Sequence, residues 1–176
     1  TLTGDRLNDS GYQPGSLLTP LVAFSAFTRG YSPASLVWDI PSSSAGSTSD
    51  VTAYQGAVNL RGALANNYLN PITRILNEIG AGNVWRSGVA LGLRSLETAP
   101  EDGTILFSGA ETSLFQRGTA FSTFANSGVR SGSLNPDTGV IEPQTVLRVG
   151  TTSGKVIFEQ ESPQRSTIME ATLAYL

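Results

Sequence analysis

Residues 112 to 126, TSLFQRGTAFSTFAN, place Leu114, Gly118, Phe121, Phe124 and Ala125 on one face of a helix, closed by Ser127-Gly128. This is the clearest helical period in the chain. Downstream, TVLRVGTTSGKVIFE alternates apolar and polar residues around Thr152-Ser153-Gly154 and predicts a β-hairpin. Upstream, helical spacing recurs four more times. Ser16 stands at a predicted N-cap, Leu17, Leu18, Leu21, Val22 and Phe24 or Ser25 follow, and Gly30 is the stop. Pro20 is tolerable there because it falls near the first turn. VNLRGALANNYL at 58 to 69 predicts a helix, Pro71 opens another that runs to Gly80, and NVWRSGVALGL a short third with Gly92 near its end. A last helix, capped by Ser166 or Thr167, would carry Ile168, Thr172, Leu173 and Leu176 as one stripe. Leu173 and Leu176 are then expected to be buried against groups outside the chain or near its end. GYSPASLVWDIPSS reads as extended chain and SSSAGSTSD at 42 to 50 as a loop. Helices first and a hairpin later give a mixed α/β (α+β) class.

The side chains present close several routes to chemistry. With no histidine and no cysteine, Ser-His-Asp triads, thiolate nucleophiles and the usual zinc ligands are excluded. No cofactor or metal is expected. The chain has 176 residues, 39% hydrophobic and 14% charged, with a net charge of -3, which suits one folded domain. Without grouped Lys and Arg it offers nothing to a phosphate backbone, so nucleic acid is not an expected partner. NEIGAGNVW lacks the lysine of a phosphate-binding loop, and no pair of acidic residues stands out at glycosidase spacing.

Six stretches, taken in order, carry a resemblance. QPGSLLTPL is similar to Q-P-G-S-x-x-K-P, and RGYSPASLVWDIP to G-Y-T-P-A-T-L-V-x-D-x-P. VNLRGALANNYLNPITRILNEIG is similar to V-T-L-R-x-A-L-A-x-S-L-N-I-P-A-V-x-x-L-x-x-x-G. LFSGAETSLFQRGTAFSTFANSGVR, VLRVGTTSGKVIFE and MEATLAYL resemble three further blocks of the same pattern. The pattern is that of the transpeptidase domain of class A penicillin-binding proteins, which build and cross-link peptidoglycan. The resemblance implies the penicillin-binding-protein/serine β-lactamase-like fold, mostly its helical part plus a hairpin. It also implies that residues 1–176 are a partial domain, an internal stretch without the strand that carries Lys-Thr-Gly.

In that family a serine attacks a D-Ala or β-lactam carbonyl, and a lysine one helical turn later takes its proton. Ser16 occupies the nucleophile position, but Thr19 stands where the general-base lysine belongs. A threonine hydroxyl has no useful basicity near neutral pH, so the resemblance points to a helix-capping Ser16 rather than an acylated one. The second motif, Ser-x-Asn, falls on Asn67, Tyr68 and Leu69, with Asn67 in place of serine and Leu69 in place of asparagine. Asn70 could supply the amide only after a register shift. Lys155, the sole lysine, sits at the hairpin turn and reads as a solvated charge. Asp39 and Glu111 are expected to be buried or capping carboxylates, and Trp38 and Trp85 core or groove-wall aromatics.

The expected function is therefore a catalytically degenerate transpeptidase-like domain with a structural or interaction role in the bacterial cell envelope. The alternative is an active DD-transpeptidase acylated at Ser16, with its other motifs outside this chain; a degenerate β-lactam sensor is a third reading. The expected partners are a peptidoglycan stem peptide or an envelope protein, met through the loops at 42 to 50 and 130 to 138. The expected location is extracytoplasmic, with any membrane anchor outside these residues.

Overall fold

A computed structural model describes residues 14–41, 54–101, 111–137, 139–160 and 162–176. The chain divides into two compact units, residues 1–120 with Leu176, and residues 121–175.

The first unit is built around one short helix. A 3-10 turn, Gly15–Leu18, leads into α1, Thr19–Phe27. Pro20 falls in the first turn of α1, where a missing N–H costs nothing. From Leu21 to Ala26 every side chain is buried, which marks a helix covered on all sides rather than amphipathic. Its cover comes from α2 (Leu60–Ala65), α3 (Leu69–Ile79) and α4 (Ala81–Ala90). Asn59 caps α2 by accepting the Gly62 N–H at 2.7 Å. α3 buries Ile72, Ile75, Leu76 and Ile79, a helical stripe, and ends at Gly80, whose φ of 84° suits glycine. α4 turns Val84, Trp85 and Gly88 inward, and Trp85 Nε1 donates to the Pro100 carbonyl at 2.9 Å.

Two strands, β1 (Leu36–Asp39) and β2 (Gly56–Asn59), pair antiparallel with Val37 opposite Val58. Residues 58 and 59 are thus strand and cap, and the predicted helix begins only at Leu60. Tertiary pairing with β1 overrides the helical look of VNL.

The helix α5 (Leu114–Ala125) contains the division between the units. Ser113 caps it, its hydroxyl accepting the Gln116 N–H at 3.1 Å. Glu111 is exposed, so the expectation of a buried or capping carboxylate is corrected: the cap falls to the residue whose short side chain reaches the N3 amide. The buried positions of α5 are Ala120 and Thr123, while Leu114, Gly118, Phe121 and Ala125 are exposed. The face with the apolar period is the outward one.

The second unit holds a three-stranded antiparallel sheet of order β4-β3-β7, formed by Ile141–Glu142, Val129–Leu134 and Gln164–Thr167. Residues 164–167 pair with 129–132, so Ser166 and Thr167 are strand residues and not helix caps. The last helix, α6, is only Ala171–Tyr175. Leu173 is half-buried and Leu176 exposed. The predicted hairpin forms from β5 (Arg148–Gly150) and β6 (Val156–Glu159) around Gly154, with a φ of 87°.

Candidate functional site

Ser16 lies inside the 3-10 turn, half-buried, and is not the cap assigned to it: the residue before the turn is Pro14, and no side chain caps there. The short turn exists because Gly15, at a φ of 51°, and then Pro20 interrupt an α-helical start. Thr19 is only 4% exposed. Its hydroxyl donates to the Ser16 carbonyl oxygen at 2.8 Å, and its N–H points to the same oxygen. The two motif residues are thus brought together through backbone. The proton of Thr19 is committed to a carbonyl, and a neutral hydroxyl so placed takes no proton from Ser16. No acidic residue lies in the first turn, and no basic residue in the last turn, of either helical segment.

Asn67 and Leu69 occupy the junction of α2 and α3. Asn67 is exposed with a left-handed φ of 54°, which asparagine tolerates better than most residues. Tyr68 is extended, and Leu69 is the first residue of α3. Asn70 directs its amide elsewhere, donating to Asp39 Oδ1 at 3.1 Å and to the Ile40 carbonyl at 2.6 Å. Asp39 is buried as expected, and its other oxygen accepts the Gln55 N–H at 3.1 Å. Asn70 and Asp39 form a clamp between β1 and α3. Lys155 is exposed in the hairpin turn of the second unit, its N–H donating to Thr151 Oγ1 at 3.0 Å.

The loop at 42 to 50 lies outside the described residues. Of the other expected contact segment, residues 129–134 are strand β3, with Arg130 buried, so only the turn that follows it is loop. Among the described residues no cluster of three or more His, Cys, Asp or Glu side chains could hold a metal ion. Nor is any helix among them long and apolar enough to cross a membrane.

One feature was not visible in the motifs. A groove of about 240 Å³ runs between β1 and α3, lined by Tyr31, Leu36, Trp38, Ile40, Arg74 and Glu78 among others. Arg74 is held against β1 by donating to the Ile40 and Pro41 carbonyls, each at 3.0 Å. Burial first, then a hydrogen bond to Glu78 and the charge of that carboxylate, push the Tyr31 phenol above its ordinary range. The sequence signal was there: Leu36, Val37 and Trp38 make both faces of a short strand apolar, more than one buried face needs.

The fold has close counterparts. The chain superposes on the penicillin-binding protein PonA1 of Mycobacterium tuberculosis with a TM-score of 0.75, at 19% identity, over 98% of this chain and 46% of that one. In sequence it is 31% identical over 130 residues to penicillin-binding protein 1A of Neisseria meningitidis serogroup A. This is a penicillin-binding-protein transpeptidase-like chain. The Neisseria match covers 69% of the transpeptidase-like chain but only 16% of the relative. Penicillin-binding protein 1A of Haemophilus influenzae gives a TM-score of 0.68 at 19% identity, over 92% of this chain and 23% of that one. The penicillin G acyl-enzyme complex of penicillin-binding protein A from M. tuberculosis gives 0.69 at 16% identity, over 99% and 43%. The transpeptidase-like chain matches no protein-family model.

Proposed function

We propose that this transpeptidase-like chain is catalytically silent and serves the bacterial cell envelope as a structural or interaction module, holding a peptidoglycan stem peptide or an envelope protein without turnover. The observation that carries this reading is the buried Thr19 hydroxyl, bonded to the Ser16 carbonyl in the place of a proton-accepting lysine. Activation of a serine needs a base within hydrogen-bond reach of its oxygen. The described part of this helix offers none. Asn67 and Leu69, in place of Ser-x-Asn, remove the second hydroxyl and amide from their positions, and Asn70 spends its amide on Asp39. The similarity to penicillin-binding proteins supports a place outside the cytoplasm.

A second reading, an active DD-transpeptidase acylated at Ser16, is favoured by the retained serine and by likeness to a chain captured as a penicillin G acyl-enzyme. Intact mass spectrometry after incubation with penicillin G separates the two. The expected result is an unmodified chain. A stoichiometric adduct mapped to Ser16 overturns the silent reading.

A further inference from the structure

The pairing of β1 with β2 fixes where each backbone group of β1 points. The Leu60 N–H donates to the Ser35 carbonyl at 2.9 Å, and this pair lies one step beyond the partners Leu36 and Asn59. Bonded and non-bonded pairs alternate along an antiparallel ladder. Val37 and Asp39 therefore turn their N–H and C=O groups toward β2, and Leu36 and Trp38 turn theirs away. The Ile40 carbonyl marks the outer side independently, since it accepts from Asn70 and Arg74 of α3. Among the described residues β1 pairs with β2 alone. The outer edge of β1 thus presents the N–H and C=O groups of Leu36 and Trp38 to the groove between β1 and α3, with no ladder partner.

Side chains add to the edge. Leu36 is 69% exposed, Trp38 56% and Ile40 40%, three apolar groups on one face of the strand. Folded proteins blunt such edges with prolines and charges. Here Pro33 precedes the strand and Pro41 follows it, and Arg74 and Asn70 close its C-terminal end. Among the described residues nothing pairs with the middle of that edge, at Leu36 and Trp38.

We propose that this edge is the docking site for an extended peptide segment of a partner protein, which adds to β1 as a further strand. The proposal deepens the interaction role given above and rests on it only in requiring a partner that is held, not turned over. One residue of the incoming segment exchanges an N–H and a C=O with Trp38, as in strand addition elsewhere. Its apolar side chains, at alternate positions, cover Leu36, Trp38 and Ile40. The opposite wall offers one cation and one anion, Arg74 and Glu78, so a segment of low net charge is favoured. Backbone groups repeating every second residue match a polypeptide main chain; a sugar has no such repeat.

Tryptophan fluorescence of the 1–176 chain tests this, because Trp85 is 3% exposed and Trp38 is the exposed reporter. The probe is a capped hexapeptide of alternating valine and threonine. Its control has proline at the two central positions, which removes those N–H donors on either edge. A saturable blue shift is expected with the first peptide, about tenfold weaker with the control, the worth of about one hydrogen bond. Leu36→Pro removes one outward N–H without touching the ladder, at a position where an edge strand accepts proline, and should weaken binding by about the same factor. If that variant fails to fold, the proline control on the unaltered chain still decides. Equal affinity for the two peptides, or no saturable shift, overturns the proposal. A shift with chitotetraose and none with the peptide overturns it in favour of a glycan. A Ser16 adduct alongside intact peptide binding would remove the silent reading and leave this site standing.

Discussion

The Thr19 hydroxyl donates to the carbonyl oxygen of Ser16, three residues earlier, at 2.8 Å. A lysine introduced here would enter a site only 4% exposed, where burial disfavours the ammonium and lowers its pKa. Thr19→Lys is expected to destabilise the chain by about 1–3 kcal/mol through crowding and desolvation. It should leave Ser16 unreactive to penicillin G, because Asn67 and Leu69 still stand in the second motif. Thermal melting and intact mass on the same sample check both halves; a penicillin adduct on the lysine variant would show that Thr19 alone had silenced the site.

Asn70 and Asp39 tie α3 to β1, with the Asn70 amide donating to one Asp39 oxygen and to the Ile40 carbonyl, which also accepts from Arg74. Asn70→Ala should cost about 1–3 kcal/mol, since it takes a donor from a buried carboxylate oxygen. A double-mutant cycle with Asp39→Ala, read by urea denaturation, should give a coupling of about 0.5–3 kcal/mol. Additive losses would mean the two residues act separately.

Gly88 sits close against two leucines of the first unit. A Cβ there would overlap Leu96 Cδ1 and come within 2.9 Å of Leu21 Cδ2. Gly88→Ala is expected to destabilise by about 1–3 kcal/mol despite the better helix propensity of alanine. A rise in melting temperature would show that Leu96 gives way freely.

Tyr31 gives the groove a pH signature. Its phenol has a folded pKa above the ordinary value of 10.0, through burial first and then Glu78. The neutral phenol is therefore the form the fold favours. Its stabilisation is fully present below the unfolded pKa and is lost as pH rises through the folded one. Stability should fall above about pH 10, and Tyr31→Phe should remove that part of the fall. Denaturation midpoints of both proteins across this range, with phenolate absorbance followed in parallel, measure it. Identical slopes would remove Tyr31 from the account.

The hairpin of β5 and β6 is exposed on both faces, with Val149, Val156, Ile157 and Phe158 all in solvent. Two strands alone are marginal in water, so its amides should exchange faster than those of α3. Ile157→Thr should raise the solubility limit while changing stability by no more than about 0.5 kcal/mol. A large loss of stability would place Ile157 in a core.

Much of this was written locally. The stripe of Ile72, Ile75, Leu76 and Ile79, the early Pro20, the turn at Gly154 and the closing Ser127-Gly128 each need only a few neighbouring residues to act, so the sequence determined those elements. It also determined, through Thr19, what Ser16 lacks. Distant partners decided the rest. Residues 58 and 59 became strand because Val37 and Leu36 lie opposite them. Ser166 and Thr167, which read locally as helix caps, instead pair with β3. Helical period identifies an apolar face of α5 but not which face the surrounding chain will cover, and Ala120 with Thr123 took the buried side. Nor does alternation along β1 reveal which of its edges β2 will take, since only the pairing fixes that. Backbone hydrogen bonds and buried area are settled between segments far apart in the chain, and only the tertiary structure brings those segments together.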